Sequence, residues 1–414
     1  MFSGKPMVKR NMKTYTLATD AGDISYTDTK RYLWMASLAY ALIPFLGIGA
    51  HALFVNQAWL ALPLFVAYVI GPILDWWLGE DENNPPEEIV PLLEEDSYYR
   101  LLPMLTVPLH FASLIGAAYW AGTQALSWWG LLLLAVSAGI ANGLGINTGH
   151  ELGHKKTQLE RNLAKIVLAV PAYGHFSIEH NRGHHRDVAT PEDPASSRMG
   201  ESIYKFAKRE IPGAFRRAWA VEDERLTRKG ISVWSWENEI LQSYAVTFAL
   251  QISLIAAFGW VMIPFLAIHN FLAWWQLTSA NYIEHYGLLR QKEPNGKYER
   301  CQPHHSWNSN HKYTNLVLFH LERHSDHHAH PTRRYQSLRN FKDVPRLPNG
   351  YNGMFPLAYV PPLWFRVMDP RLMALPHIDG DMTRVNIDPD KKEALYTKYG
   401  VAGLNENLPA TEAA

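Results

Sequence analysis

Three stretches of the chain, 32–74, 101–150 and 240–283, contain no Asp, Glu, Lys or Arg. Each is about twice as long as the roughly 20 apolar residues that one helix needs to cross a bilayer. The pattern therefore predicts two spans per stretch, joined by a tight turn: 32–54 with 58–78, 101–122 with 126–148, and 239–259 with 261–283. Buried core helices of a soluble protein are the competing reading. Soluble helices keep charged residues on one face, and the three stretches carry none. The fold class expected is all-α integral membrane, with six transmembrane helices as three hairpins and a cytoplasmic helical domain.

Loop charge orients the bundle. The turns inside the hairpins, around Asn56-Gln57, Thr123-Gln124 and Phe258-Gly259, are short and uncharged. Every Lys and Arg lies on the opposite side, which the positive-inside bias puts in the cytoplasm. The loop 79–100 is acidic, but acidic residues weigh little in orientation. Residues 1–31 are expected to be a cytoplasmic tail, too mixed in charge for a cleaved signal peptide. Residues 32–283 form the bundle, with 151–238 as a cytoplasmic insertion. Residues 284–400 complete the cytoplasmic part, and 401–414 are expected to be a disordered tail. The Pro-rich stretch 344–376 should pack on the soluble part or graze the membrane surface.

Composition adds three points. The mean hydropathy of −0.18 hides the segregation just described. Fifteen Trp suit the membrane–water interfaces, and a net charge of zero gives no footprint for nucleic acid. The single cysteine, Cys301, excludes an internal disulfide and any Cys-ligated iron–sulfur or rubredoxin-type site within the chain.

The histidines carry the chemistry. His150 and His154 sit four apart where the fourth span ends, a spacing that stacks two imidazoles on one helix face. His180, His184 and His185 repeat the four-residue step with an adjacent partner. His324, His327 and His328 offer steps of three and four, and His285 follows the sixth span. All nine lie near or beyond cytoplasmic helix ends. An isolated histidine such as His51 or His377 is best read as a hydrogen-bonded structural residue. His110 and His269 lie inside spans, where an ionisable group needs a partner or a function. Neutral imidazole suits Zn, Cu, Fe and Ni, and nine candidates exceed the four of a structural zinc site. Two metals follow from that count.

Rival readings remain at this stage. His150-Glu151-Leu152-Gly153-His154 also satisfies the H-E-x-x-H zinc-protease pattern, with Glu151 as general base. A protease would leave two clusters and His285 without a role. A metal transporter would string its ligands across the bilayer, whereas these gather at one face.

The words around the clusters narrow the reading. They are Asn147-Thr148-Gly149-His150-Glu151-Leu152-Gly153-His154, then Glu179-His180-Asn181-Arg182-Gly183-His184-His185-Arg186-Asp187, and Leu321-Glu322-Arg323-His324-Ser325-Asp326-His327-His328. With Asn281–Arg290 they resemble the bacterial alkane 1-monooxygenases, of the membrane desaturase and hydroxylase superfamily, from about Arg31 to Asp369. The resemblance implies a cytoplasmic-side di-iron centre with nine ligands: His150, His154, His180, His184, His185, His285, His324, His327 and His328. It also implies two iron ions as cofactor and O₂ as co-substrate. The n-alkane would become a primary alcohol, with electrons from rubredoxin and rubredoxin reductase, at the bacterial inner membrane. Within the superfamily, a fatty-acyl desaturase or hydroxylase is the alternative.

Carboxylates beside the clusters, Glu151, Glu179, Asp187, Glu284 and Asp326, are expected to accept the distal imidazole N–H and fix its tautomer. The alkane slot is expected between the spans, with Gly139, Ala141, Gly143, Gly145, Trp274 and Trp275 as shaping residues. Small residues at such spacing also serve helix packing. Exposed Arg182, Arg186, Arg333 and Arg334 are expected docking contacts for an acidic rubredoxin.

Overall fold

A computed structural model describes residues 12–400. The expectation for 401–414 lies outside the described residues. Among the described residues, four helices are long and apolar enough to cross a membrane: α3 (Gln57–Leu78), α4 (Ser97–Thr123), α5 (Trp128–Gly153) and α9 (Glu239–Phe258). A fifth span arises if α1 (Leu33–Ala41) and α2 (Pro44–Phe54) are taken together, bent by 58°. Pro44 explains the break, because it has no N–H to donate and its ring crowds the carbonyl four residues earlier. The sixth expected span is a helix, α10 (Met262–Glu284), of 23 residues. It is absent from the apolar set because it buries His269, Asn270, Thr278, Ser279, Asn281 and Glu284 in the bundle.

Polar side chains start these helices where the sequence offers them. Asp96 accepts from Tyr98 N at α4, Ser127 from Gly130 N at α5, and Asn238 from Ile240 N and Leu241 N at α9. Each satisfies N–H groups that the first turn leaves without partners. Outward faces are apolar: Leu53, Phe54, Leu101, Leu105, Phe248 and Ile252 are all at least half exposed. Trp128 and Trp260 mark one end of the bundle and Trp76 and Trp77 the other, each more than 70% exposed. Exposed indoles at both ends fit the two interfaces of a bilayer.

The centre of the bundle is the crossing of α5 and α10. A Cβ at Gly139 would lie 2.6 Å from His269 O and 2.9 Å from Leu272 Cβ. At Gly143 it would lie 2.6 Å from Gln276 Cγ. These two glycines let the backbones approach closely. Gly139→Leu should therefore cost about 1–3 kcal/mol through overpacking, read as a lower Tm of the detergent-solubilised protein; an unchanged Tm would contradict the crossing. Asn142 bridges His110 Nδ1 and His269 Nε2 at 3.0 Å each, giving both histidines a partner inside the bundle, while His110 Nε2 is buried without one.

Outside the bundle lie α6 (Gln158–Val167), α7 (residues 176–187), α8 (Ile203–Thr227), α11 (His324–Ala329), α12 (Tyr351–Ala358) and α13 (Pro361–Met373). The Pro-rich stretch is largely helical. Tyr351, Met354 and Phe355 of α12 and Trp364, Met368 and Leu372 of α13 join one buried core with Tyr282 and Tyr286. The N-terminal tail is not wholly irregular. Antiparallel β1 (Thr14–Thr19) and β2 (Gly22–Thr27) pair Thr14 with Thr27 and Thr19 with Gly22. Gly22, at φ +113°, permits the turn. Tyr15 and Arg31 clasp Asp96 at 2.5 and 2.7 Å, tying the tail to the start of α4.

Candidate metal centre

The three histidine clusters and His285 converge at the ends of α5 and α10. They form two groups, each with its ligand-capable atoms within 4.8 Å of one another: His150, His154, His180 and His327, and His184, His285, His324 and His328. His185 joins the first group, its Nε2 3.1 Å from both His180 Nε2 and His327 Nε2. The division is thus five and four.

Local backbone geometry makes this division. An ordinary helix would put His180 and His184, four apart, on one face. The turn His180–His184 is instead a π turn, wide enough to align residues five apart. It sets His185 beside His180 and sends His184 to the other group. In α11 the four-residue step does hold, with His324 and His328 Nε2 3.0 Å apart. His327, turned about 100° from His328 on the helix, faces His150 Nε2 at 2.9 Å.

These distances test the fit of a cation. Several Nε2 atoms face each other at 2.9–3.2 Å, and each neutral imidazole has only one N–H to give. Ligands about 2.1 Å from a tetrahedral metal lie about 3.4 Å apart, close to what is observed. Buried His154 Nε2 and His184 Nε2 have no hydrogen-bond partner. A shared cation satisfies such a set.

Electrostatics keeps the donors neutral. Burial, then the neighbouring imidazoles, pushes His180, His185, His324, His327 and His328 well below the ordinary histidine range. Neutral imidazole is the metal-binding form. His184 differs. Burial lowers it too, but the Asp193 carboxylate beside it raises it overall.

The carboxylates sort unevenly. Glu284 Oε2 is 3.5 Å from His324 Nε2, and its Oε1 accepts from the Tyr351 hydroxyl at 2.8 Å. The other four make no hydrogen bond to any of the nine imidazoles. Glu151 pairs with Lys155 at 3.0 Å, so it is not poised as the general base of a protease. Glu179 is bound by Arg217 of α8, Asp187 pairs with Arg186 and Arg217, and Asp326 holds His330, Arg333 and Arg339 N. The tautomer-fixing acceptors are two the sequence did not reveal. His184 Nδ1 donates to Asp193 Oδ2 at 2.9 Å, and His285 Nδ1 to the His305 carbonyl at 3.1 Å. Asp193 lies beyond the reversal of chain at 188–190, so spacing gave no signal for it. Arg217 Nη2 holds its other oxygen at 2.7 Å.

The four expected docking arginines also divide. Arg182 and Arg186 are exposed, with side chains 45% and 63% accessible. Arg333 and Arg334, at 10% and 14%, are not, because they turn inward to Asp326 and Glu160.

A mainly apolar cavity of about 70 Å³ adjoins the two histidine groups. Ile140, Gly143, Leu144, Leu277, Leu318 and Phe355 line it, together with His150, His180, His324 and Glu284. Trp274 and Trp275 do not line it. Trp274 donates to Pro171 O, and Trp275 stacks on Tyr204.

Fold and site together define a helical membrane protein with a histidine-rich metal centre. Residues 126–358 match the sequence model of the fatty acid desaturase family. The chain is 55% identical over 397 residues to alkane 1-monooxygenase 1 of Alcanivorax borkumensis, covering 96% of this chain and 98% of that one. It is 57% identical over 383 residues to alkane 1-monooxygenase of Ectopseudomonas oleovorans, covering 92% and 95%. It is also 57% identical over 374 residues to that of Pseudomonas putida, covering 90% and 92%. The chain belongs to the fatty acid desaturase family, in its alkane 1-monooxygenase branch.

Proposed function

We propose that this protein hydroxylates the terminal methyl of n-alkanes, converting R–CH₃, O₂, two electrons and two protons to R–CH₂OH and water. One observation carries the proposal. Nine imidazoles gather in two groups beside an apolar cavity between membrane-type helices, and three of them, His150, His180 and His324, line it. The reading assigns one iron to His150, His154, His180, His185 and His327, and one to His184, His285, His324 and His328. Two irons bound there supply the O₂ activation that an unpolarised C–H bond requires, chemistry beyond any side chain.

The chain's own residues do the rest. Leu144, Leu277 and Phe355 exclude water and hold an alkyl chain with its end toward His150 and His324. The Glu284 carboxylate, held by Tyr351, is the one acidic group at the cavity's metal end, placed to accept or release a proton there. Asp193 and the His305 carbonyl keep His184 and His285 in the tautomer whose Nε2 lone pair points inward. Electrons come from outside, and we assign the donor as rubredoxin with its reductase, docking near Arg182 and Arg186. The bundle is read as six spans in the bacterial inner membrane. α10 is the sixth, tolerated because its polar groups face inward. The metal centre then lies on the cytoplasmic side.

Membranes containing the protein, supplied with octane, O₂ and reduced rubredoxin, should form 1-octanol. Reaction only on fatty-acyl substrates would replace this reading with the desaturase alternative.

A further inference from the structure

A second cavity, of about 320 Å³, lies between the start of α1 and the residue that precedes α11. Lys30, Leu33, Asp81, Lys312 and Arg323 are among the residues that line it. Arg323 is only 2% exposed, yet its guanidinium meets uncharged acceptors alone. It donates to Leu338 O and Asp81 O at 2.7 Å, to Asn83 O at 3.3 Å and to Asn84 Oδ1 at 3.4 Å. Its Nε is buried without a hydrogen-bond partner. The Asp81 carboxylate forms no ion pair with it, because that carboxylate pairs with the Lys30 ammonium at 2.6 Å. Lys312 donates to the Leu78 carbonyl at 3.0 Å. Neither Arg323 nor Lys312 has a carboxylate within ion-pair distance among the described residues. Two positive charges therefore border one polar cavity without an ion pair, and for Arg323, the buried one, a charge with no paired anion is strongly disfavoured.

We propose that this cavity binds a phosphate group. A multi-oxygen anion suits a guanidinium and an ammonium together, and the volume leaves room for ordered water beside it. Leu33, 54% exposed, forms part of the wall, and Met35, 51% exposed, follows it along α1. An apolar rim at the start of a membrane-type helix places a lipid phosphate within reach, and free inorganic phosphate offers the same chemistry. Occupancy bears on the metal centre through the backbone. The Arg323 carbonyl accepts from Asp326 N and His327 N at 3.2 Å each, starting the helix that carries three of the nine histidines.

The test uses the full chain, delipidated in neutral detergent, at constant ionic strength set with chloride. Inorganic phosphate and short-chain phosphatidylglycerol are titrated separately while Tm is read. A saturable rise in Tm is expected, with the apparent Kd weakened about tenfold or more in Lys312→Glu, where the reversed charge opposes the anion. A rise with phosphatidylglycerol alone identifies a lipid site, and a rise with phosphate as well identifies a site open to the free anion. No saturable rise with either, or the same apparent Kd in Lys312→Glu, overturns the proposal.

Discussion

His285→Ala should leave the purified protein with about one iron instead of about two, whereas His185→Ala should retain nearly both. The asymmetry follows from the five-and-four division. Removing His285 leaves His184, His324 and His328, three imidazoles for a cation that had four. Removing His185 still leaves the set His150, His154, His180 and His327, which is a four-imidazole group without it. Alkane hydroxylation in His285→Ala should fall by more than the roughly 100-fold that loss of an outer hydrogen-bond partner costs a metal site. Iron analysis of both variants, with Tm to confirm folding, decides the matter. Equal loss in the two variants, or greater loss in His185→Ala, would falsify the division.

Asp193→Asn should lower the metal affinity of the four-histidine group about 10- to 100-fold while the other group keeps its metal. The change removes a charge but little volume, so the argument turns on hydrogen-bond direction. Asp193 Oδ1 accepts from Arg217 Nη2 at 2.7 Å and Ala195 N at 3.1 Å, and both partners can only donate. An asparagine must turn its oxygen to them and its NH₂ toward His184. That imidazole must then accept at Nδ1, which moves its proton to Nε2, the atom that should face the metal. The same logic makes a carboxylate-to-amide change costly in a catalytic triad. Metal competition with a chelator on wild type and variant reads the effect, and indistinguishable release curves would remove Asp193 from this role.

Much of the architecture was legible because membrane spans must be free of charge over long runs, and a gap such as 101–150 survives any averaging. The nine histidines were legible because metal sites reuse one residue type at helical spacing. Other features were not. The charge-free pattern could not show that α10 turns its polar groups inward, because polarity without burial has no direction. How the second cluster divides was not legible in the sequence, since only the backbone reveals the π turn that sets His185, rather than His184, beside His180. Asp187 and Asp326 drew attention by adjacency, but a partner for Nδ1 is chosen in space, and chain reversal brought Asp193 instead. Arg333 and Arg334 looked exposed for want of any view of Asp326 and Glu160. The hairpin 14–27 was passed over because its polar strands resemble a tail.

The cavity beside the metal centre bears on how substrates of different length bind. Its volume of about 70 Å³ is less than half of the roughly 150 Å³ that holds a benzene in a protein core. The shortest, gaseous alkanes enter such a space without rearrangement, but each methylene taken out of water returns only about 0.8 kcal/mol. A longer chain must push side chains such as Leu144 and Phe355 aside, and forcing extra carbon into a packed interior costs about 1–3 kcal/mol. A few methylenes offset that cost, and affinity grows with those that follow. Preference over the gaseous alkanes then comes from apolar area alone and needs no residue that recognises them.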